Sequence, residues 1–148
     1  NEPGFLTPTL YNYVGRPDKT AEVVRKTLKE RYNTTKEGIP GNDDSGSMSS
    51  WYVFHALGFY PNTGQDLYLI SSPTFEEAVI HLENGRDLSI KAKKASDKNI
   101  YVQSVKLNGE PLDACSFKHT DIANGGTLEF VMGSKPSKWG TVGVENQL

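Results

Sequence analysis

The chain has 148 residues, about a third of them hydrophobic, which is enough for one core or for two small units packed together. Its net charge of -2 and scattered basic residues argue against a nucleic-acid partner, and no stretch reaches the ~20 apolar residues of a membrane span. A single cysteine, Cys115, rules out an internal disulfide and offers no metal-ligand spacing, so it reads as a small core or semi-buried residue.

In chain order, Thr7 followed by Pro8 reads as an N-cap with proline in the first helical turn; Leu10, Tyr13 and Val14 continue an apolar side until Gly15 stops it. Pro17 opens a second helix in which Ala21, Val24, Leu28 and Tyr32 recur on one face. Glu22 and Lys26 form an expected i,i+4 pair. The helix ends near Asn33, where Asn33-Thr34-Thr35 spells a glycosylation sequon that matters only in a secreting eukaryote and is read here as chance. A polar connector with Gly38 and Pro40 leads to GNDDSGSMSSW, Gly41 to Trp51.

This acidic loop is the one stretch that reads as chemistry. Gly41 and Gly46 permit a sharp turn that can hold Asn42, Asp43 and Asp44 against a ligand. Two adjacent carboxylates need water, a cation, hydrogen-bond donors or a helix N-terminus to offset their repulsion. The plain alternative is that Asp44 or Ser45 caps the helix that follows. That helix places Met48, Trp51, Tyr52, His55 and Ala56 at helical spacing and stops at Gly58. It is apolar on most sides and so needs to be buried; His55 is expected to be a hydrogen-bonded core histidine, and Trp51 and Tyr52 to be core rather than sugar-stacking.

After Pro61 the pattern changes to period two. Strands are expected at Leu67 to Ile70, Ala78 to Leu82, Leu88 to Lys93, Tyr101 to Leu107 and Leu128 to Met132. Asn84-Gly85 and Asn108-Gly109 mark two-residue hairpin turns, and Asn124-Gly125-Gly126 marks a third turn. About six strands in antiparallel order suggest a sheet or sandwich, giving an α+β chain with a helical part at 1–60 and a β-rich part at 61–148. The Lys91 to Lys94 run reads as a solvated strand edge, and His81 and His119 as structural. EF-hand, Walker, G-x-S-x-G and H-E-x-x-H patterns are absent.

GNDDSGSMSSWYVFHALGFYP resembles the signature near the end of the catalytic domain of glycoside hydrolase family 92, the calcium-dependent exo-acting α-mannosidases. NEP at Asn1 to Pro3, YNYVGRPDKT at Tyr11 to Thr20, SSPTF at Ser71, LNG at Leu107 and the pair Trp139 and Gly140 extend the likeness through nearly the whole chain. The resemblance implies that the helices close an (α/α)6 barrel and that β-structure ends the protein. It implies inverting hydrolysis of terminal α-mannosides, with calcium near the vicinal hydroxyls of a mannose-containing glycan. Asp43 and Asp44 match the carboxylates around the general base. Asn1 and Glu2 match a motif lining the sugar and metal site, which makes Glu2 a candidate calcium ligand, although a terminal Glu taken alone is simply solvated. The family's general acid lies upstream, and its members are periplasmic or secreted bacterial proteins.

The chain opens inside a motif and is expected to be a C-terminal piece of a longer enzyme. As a piece it should be inactive, packed against the remainder of the parent domain, and prone to self-association through its apolar helices. Two departures stand out: Ser47 where a glutamine is usual, and GFLTPTL in place of a more polar, histidine-containing segment. The competing class is a non-catalytic carbohydrate-binding or packing module.

Overall fold

The computed structural model describes residues 2–144. Short 3-10 helices at Glu2–Gly4 and Thr7–Val14 precede two α-helices, α1 (Pro17–Arg31) and α2 (Ser47–Leu57). Eight strands follow: β1 (Phe59–Pro61), β2 (Tyr68–Ile70), β3 (Glu77–His81), β4 (Asp87–Lys93), β5 (Tyr101–Leu107), β6 (Glu110–Pro111), β7 (Ser116–Phe117) and β8 (Gly126–Gly133). The chain is therefore α+β, with helices first and sheets after. The strands form a three-stranded sheet in the order β1-β2-β7 and a five-stranded sheet in the order β3-β4-β8-β5-β6.

The expected alternation holds in the long strands. Leu88, Ile90 and Ala92 of β4 and Leu128, Phe130 and Met132 of β8 all point into one buried cluster. Phe59, Ile70 and Phe117 of the smaller sheet enter the same cluster, so the two sheets share a core. In β5 the period breaks: Val102 and Val105 are both inside because the register slips between Val102 and Ser104, the mark of a bulge. Not every pairing is antiparallel. β4 and β8 run parallel, from Leu88 opposite Gly126 to Lys93 opposite Val131. The long connection through β5 to β7 allows this, where a hairpin would not. Asn108 and Gly109 both take positive φ, at 51° and 87°, as a tight hairpin between β5 and β6 requires.

The first helical segment departs most from expectation. Thr7–Val14 is a 3-10 helix whose N-cap is Leu6, without a side-chain cap, and Gly15 closes it at φ 66°. Its apolar residues face outward: Leu10, Tyr11, Tyr13 and Val14 are exposed, while Thr9 and Asn12 are fully buried. Hydrogen bonding explains the inversion. Asn12 Nδ2 donates to the carbonyls of Ile70 and Cys115 at 2.7 and 3.1 Å, and its Oδ1 accepts the Thr20 hydroxyl at 2.7 Å. One amide thus joins the 3-10 segment, α1, β2 and the residue that precedes β7.

α1 buries Ala21, Val24 and Leu28 as expected. Glu22 does not pair with Lys26; its carboxylate takes Lys19 at 2.7 Å and the Tyr101 hydroxyl at 3.1 Å. That second bond ties α1 to β5. Arg25 joins α1 to the loops before β3 and before β5 by donating to the carbonyls of Pro73 and Ser96. Cys115 is fully buried, its thiol donates to the Gly140 carbonyl, and burial pushes its pKa up to about 12, so the thiol is inert. His81 pairs with Asp87 and His119 with the Tyr68 hydroxyl, both on the β side.

Candidate active site

α2 organises the site because its two ends are fixed differently. At its C-terminus Gly58 adopts φ 103°, and any Cβ there would lie 3.0 Å from Pro73. At its N-terminus three consecutive residues, Asp44, Ser45 and Gly46, take positive φ of 45°, 62° and 91°. Only glycine adopts this region freely, so Asp44 and Ser45 carry strain that surrounding contacts must hold. The Ser47 hydroxyl supplies part of that hold by donating to the carbonyls of Asp43 and Asp44, each at 3.0 Å.

Capping by Asp44 or Ser45 does not occur. Gly46 occupies the N-cap position and has no side chain to offer. Asp43 caps instead, from further back: its Oδ1 accepts the Ser49 N–H at 2.8 Å and its Oδ2 accepts the Ser49 hydroxyl at 2.9 Å. The left-handed run causes the exchange. It folds Asp43 back over the first turn of α2 and carries Asp44 outward.

Asp44 then meets Glu2. The N-terminal turn is brought to this place by Trp51, a buried residue whose Nε1 donates to the Phe5 carbonyl at 3.0 Å, while the Phe5 N–H donates to the Glu2 carbonyl at 3.1 Å. Trp51 is in turn fixed by Tyr32, with ring centroids 5.9 Å apart and planes nearly parallel. Burial pushes the Tyr32 pKa up to about 12, with the Asp43 charge adding to it, so its hydroxyl stays a donor to the Met48 carbonyl. The exposed Glu2 and Asp44 carboxyls interact, which raises the pKa of Asp44 and lowers that of Glu2. Two carboxyls this close cannot both ionise at ordinary pKa values without a compensating cation.

Asn42 is exposed and its side chain has no hydrogen-bond partner among the described residues. Asn1 lies outside the described residues. Neither Asp43 nor Asp44 enters a salt bridge among the described residues. A cleft of about 580 Å³ is lined by Glu22, Arg25, Lys29, Tyr52, Phe75 and Asp97 and contains no residue of the acidic loop. The paired carboxylates, rather than this cleft, are the chemically informative feature.

His55 differs from expectation. It is fully buried, yet neither ring nitrogen has a hydrogen-bond partner among the described residues. Its ring instead stacks on Tyr60, with centroids 4.8 Å apart and planes at 3°, and sits 4.2 Å from Trp51. Burial lowers its pKa to about 3, which keeps the ring neutral. Sequence reading missed the role of Ser49; a serine three places after an N-cap glycine is the only signal it leaves.

Calcium prefers six to eight oxygen ligands. Glu2 and Asp44 supply donors of the right kind, but no group of three or more His, Cys, Asp or Glu suited to a metal occurs among the described residues. The two carboxylates are compatible with part of such a site and do not complete one by themselves.

The model of the glycosyl hydrolase family 92 catalytic domain matches residues 1–134. An uncharacterized secreted glycosidase of Arthroderma benhamiae is 41% identical over 144 residues, which cover 95% of this chain and 19% of that protein. Among solved structures, the family GH92 alpha-mannosidase of Bacteroides thetaiotaomicron in complex with mannoimidazole superposes with a TM-score of 0.92 at 36% identity, covering 95% of this chain and 19% of that one. The family GH92 inverting mannosidase of Bacteroides thetaiotaomicron VPI-5482 gives 0.87 at 34% identity with the same coverage. The chain thus spans about a fifth of the length of these relatives. On the family match and these likenesses together, the chain belongs to glycosyl hydrolase family 92.

Proposed function

We propose that this chain forms the base-side wall of an inverting glycoside hydrolase that removes terminal α-linked mannose from glycans, and that the longer protein is secreted. The observation that carries the reading is the meeting of Glu2 and Asp44 at the tip of a strained loop. Carboxyls held together with no cationic side chain between them among the described residues suit a site that receives a cation and a polyhydroxylated ligand. The mannosidases among the structural relatives and the secreted glycosidase relative support substrate class and export.

Inversion needs two carboxyl groups on opposite faces of the sugar, roughly 6.5–9.5 Å apart, with a water on the base side. Asp43 and Asp44 are neighbours and serve one side only. Asp43 has both oxygens engaged by Ser49 and so positions the loop. Asp44, free of such donors, is the base that takes the water's proton. Asn42 and Asn1 would contact the sugar hydroxyls. Glu2 would hold calcium, which when bound supplies the positive charge that lets Glu2 and Asp44 ionise together and engages vicinal hydroxyls. The general acid lies outside this chain, so the chain alone is inactive and its exposed Leu10, Tyr11, Tyr13 and Val14 pack on the remainder of the parent domain. The test is to follow the anomer first released from an aryl α-mannoside by the full-length enzyme. Appearance of the β-anomer of mannose supports the reading; release of the α-anomer, or no hydrolysis of any α-mannoside, contradicts it.

A further inference from the structure

We propose that Asn33 is an N-glycan acceptor when the protein passes through a secretory pathway that carries the transfer machinery. The inference rests on the secreted reading above but not on the catalytic one. Of the chain's asparagines, only Asn33 is followed two places later by Ser or Thr. Asn33, Thr34 and Thr35 are all exposed, in a connector just beyond α1.

The local geometry also suits the reaction. Asn33 Oδ1 accepts the Thr35 N–H at 2.9 Å and the Thr35 hydroxyl at 2.6 Å. Nδ2, the atom that must react, has no partner among the described residues. The turn is closed behind it, where the Asn33 N–H donates to the Gly38 carbonyl at 3.0 Å and the Gly38 N–H to the Thr35 carbonyl at 3.1 Å. Gly38 is required there, since a Cβ would fall 2.0 Å from the Asn33 carbonyl oxygen. The sequon is therefore presented outward on a tight loop.

The co-reactant is a lipid-pyrophosphate-linked oligosaccharide. Asn33 Nδ2 forms a bond to the anomeric carbon, the bond from that carbon to the phosphate oxygen breaks, and the lipid pyrophosphate leaves with the electron pair. The transferase takes the displaced amide proton. Asn33 borders a cleft of about 360 Å³ that is also lined by Tyr32, Ser49, Tyr52 and Val53. Tyr52 and Val53 are 37% and 53% exposed, so a sugar laid here covers aromatic and aliphatic surface.

The experiment expresses the full-length protein through the secretory pathway of a yeast and maps the peptide containing Asn33 by mass spectrometry, before and after enzymatic deglycosylation. The expected result is a glycan on Asn33 that is lost in Asn33→Gln and Thr35→Ala and kept in Thr35→Ser. Recovery of secreted protein with Asn33 unmodified overturns the proposal. The readout is independent of catalysis: glycosylated but inactive protein would sink only the hydrolase reading, and active protein with a bare Asn33 only this one.

Discussion

Asp43 grips Ser49 with both carboxylate oxygens, one on the backbone N–H and one on the hydroxyl. The contact satisfies an otherwise orphaned donor in the first turn of α2 and places a negative charge at the favourable end of its dipole. Replacing Asp43 by Ala should cost about 1–2 kcal/mol, the usual cost of losing a side-chain cap, whereas Asn keeps an acceptor and should cost less than half as much. Thermal unfolding of the two variants of the full-length protein checks this; equal Tm values for Ala and wild type would dismiss the capping role.

Asn12 is the second structural hub. Changing it to Ala takes one donor from the Ile70 carbonyl and leaves the Cys115 carbonyl with only the Ile70 N–H, at about 1–3 kcal/mol for a buried group left unsatisfied. Asp at the same place should be worse, because it removes the donor and adds a buried charge. Denaturant titration should rank wild type, Asn12→Ala and Asn12→Asp in falling order of stability.

His55 gives the protein a defined acid sensitivity. Its pKa is near 6.5 when unfolded and about 3 when folded, so between these values the unfolded state binds the extra proton. The contribution is complete above pH 6.5 and is lost as pH falls below it, by about 1.4 kcal/mol per unit. His55→Leu removes two unpartnered buried nitrogens and should flatten the stability profile between pH 6.5 and 4.5. An unchanged slope in that variant would show that other groups control acid unfolding.

Calcium should bind the full-length enzyme through the Glu2 side of the site. Glu2→Gln is expected to weaken calcium affinity at least tenfold in isothermal titration, while Asp43→Asn, occupied by Ser49, should change it less than threefold. Chelation should abolish hydrolysis and added calcium restore it. Equal effects of the two substitutions would remove the basis for separating their roles.

Much of this architecture is legible from residue order. The stripe Ala21, Val24, Leu28 and the alternation in β4 and β8 are driven by burial, and burial leaves a periodic trace. The inward Asn12 and outward Leu10 and Val14 are not legible, because hydrogen bonds to distant carbonyls override local hydropathy. Strands β1, β6 and β7, of two or three residues, are too short to show a period. The parallel pairing of β4 with β8 is a property of the long connection, not of either strand's composition. At the site, the glycines and acids mark the loop plainly. Which acid turns inward depends on positive φ at Asp44 and Ser45, which side-chain type does not encode.

The central claim is that the two adjacent aspartates have different jobs, Asp44 taking the proton of the attacking water and Asp43 holding the loop. It is tested most directly by measuring kcat of Asp43→Asn and Asp44→Asn in the full-length enzyme on an activated aryl α-mannoside. Loss of a general base costs about 10²- to 10⁴-fold, so Asp44→Asn should fall by that factor while Asp43→Asn stays within about tenfold of the parent. Near-parental turnover by Asp44→Asn, or a greater loss in Asp43→Asn than in Asp44→Asn, would contradict the assignment.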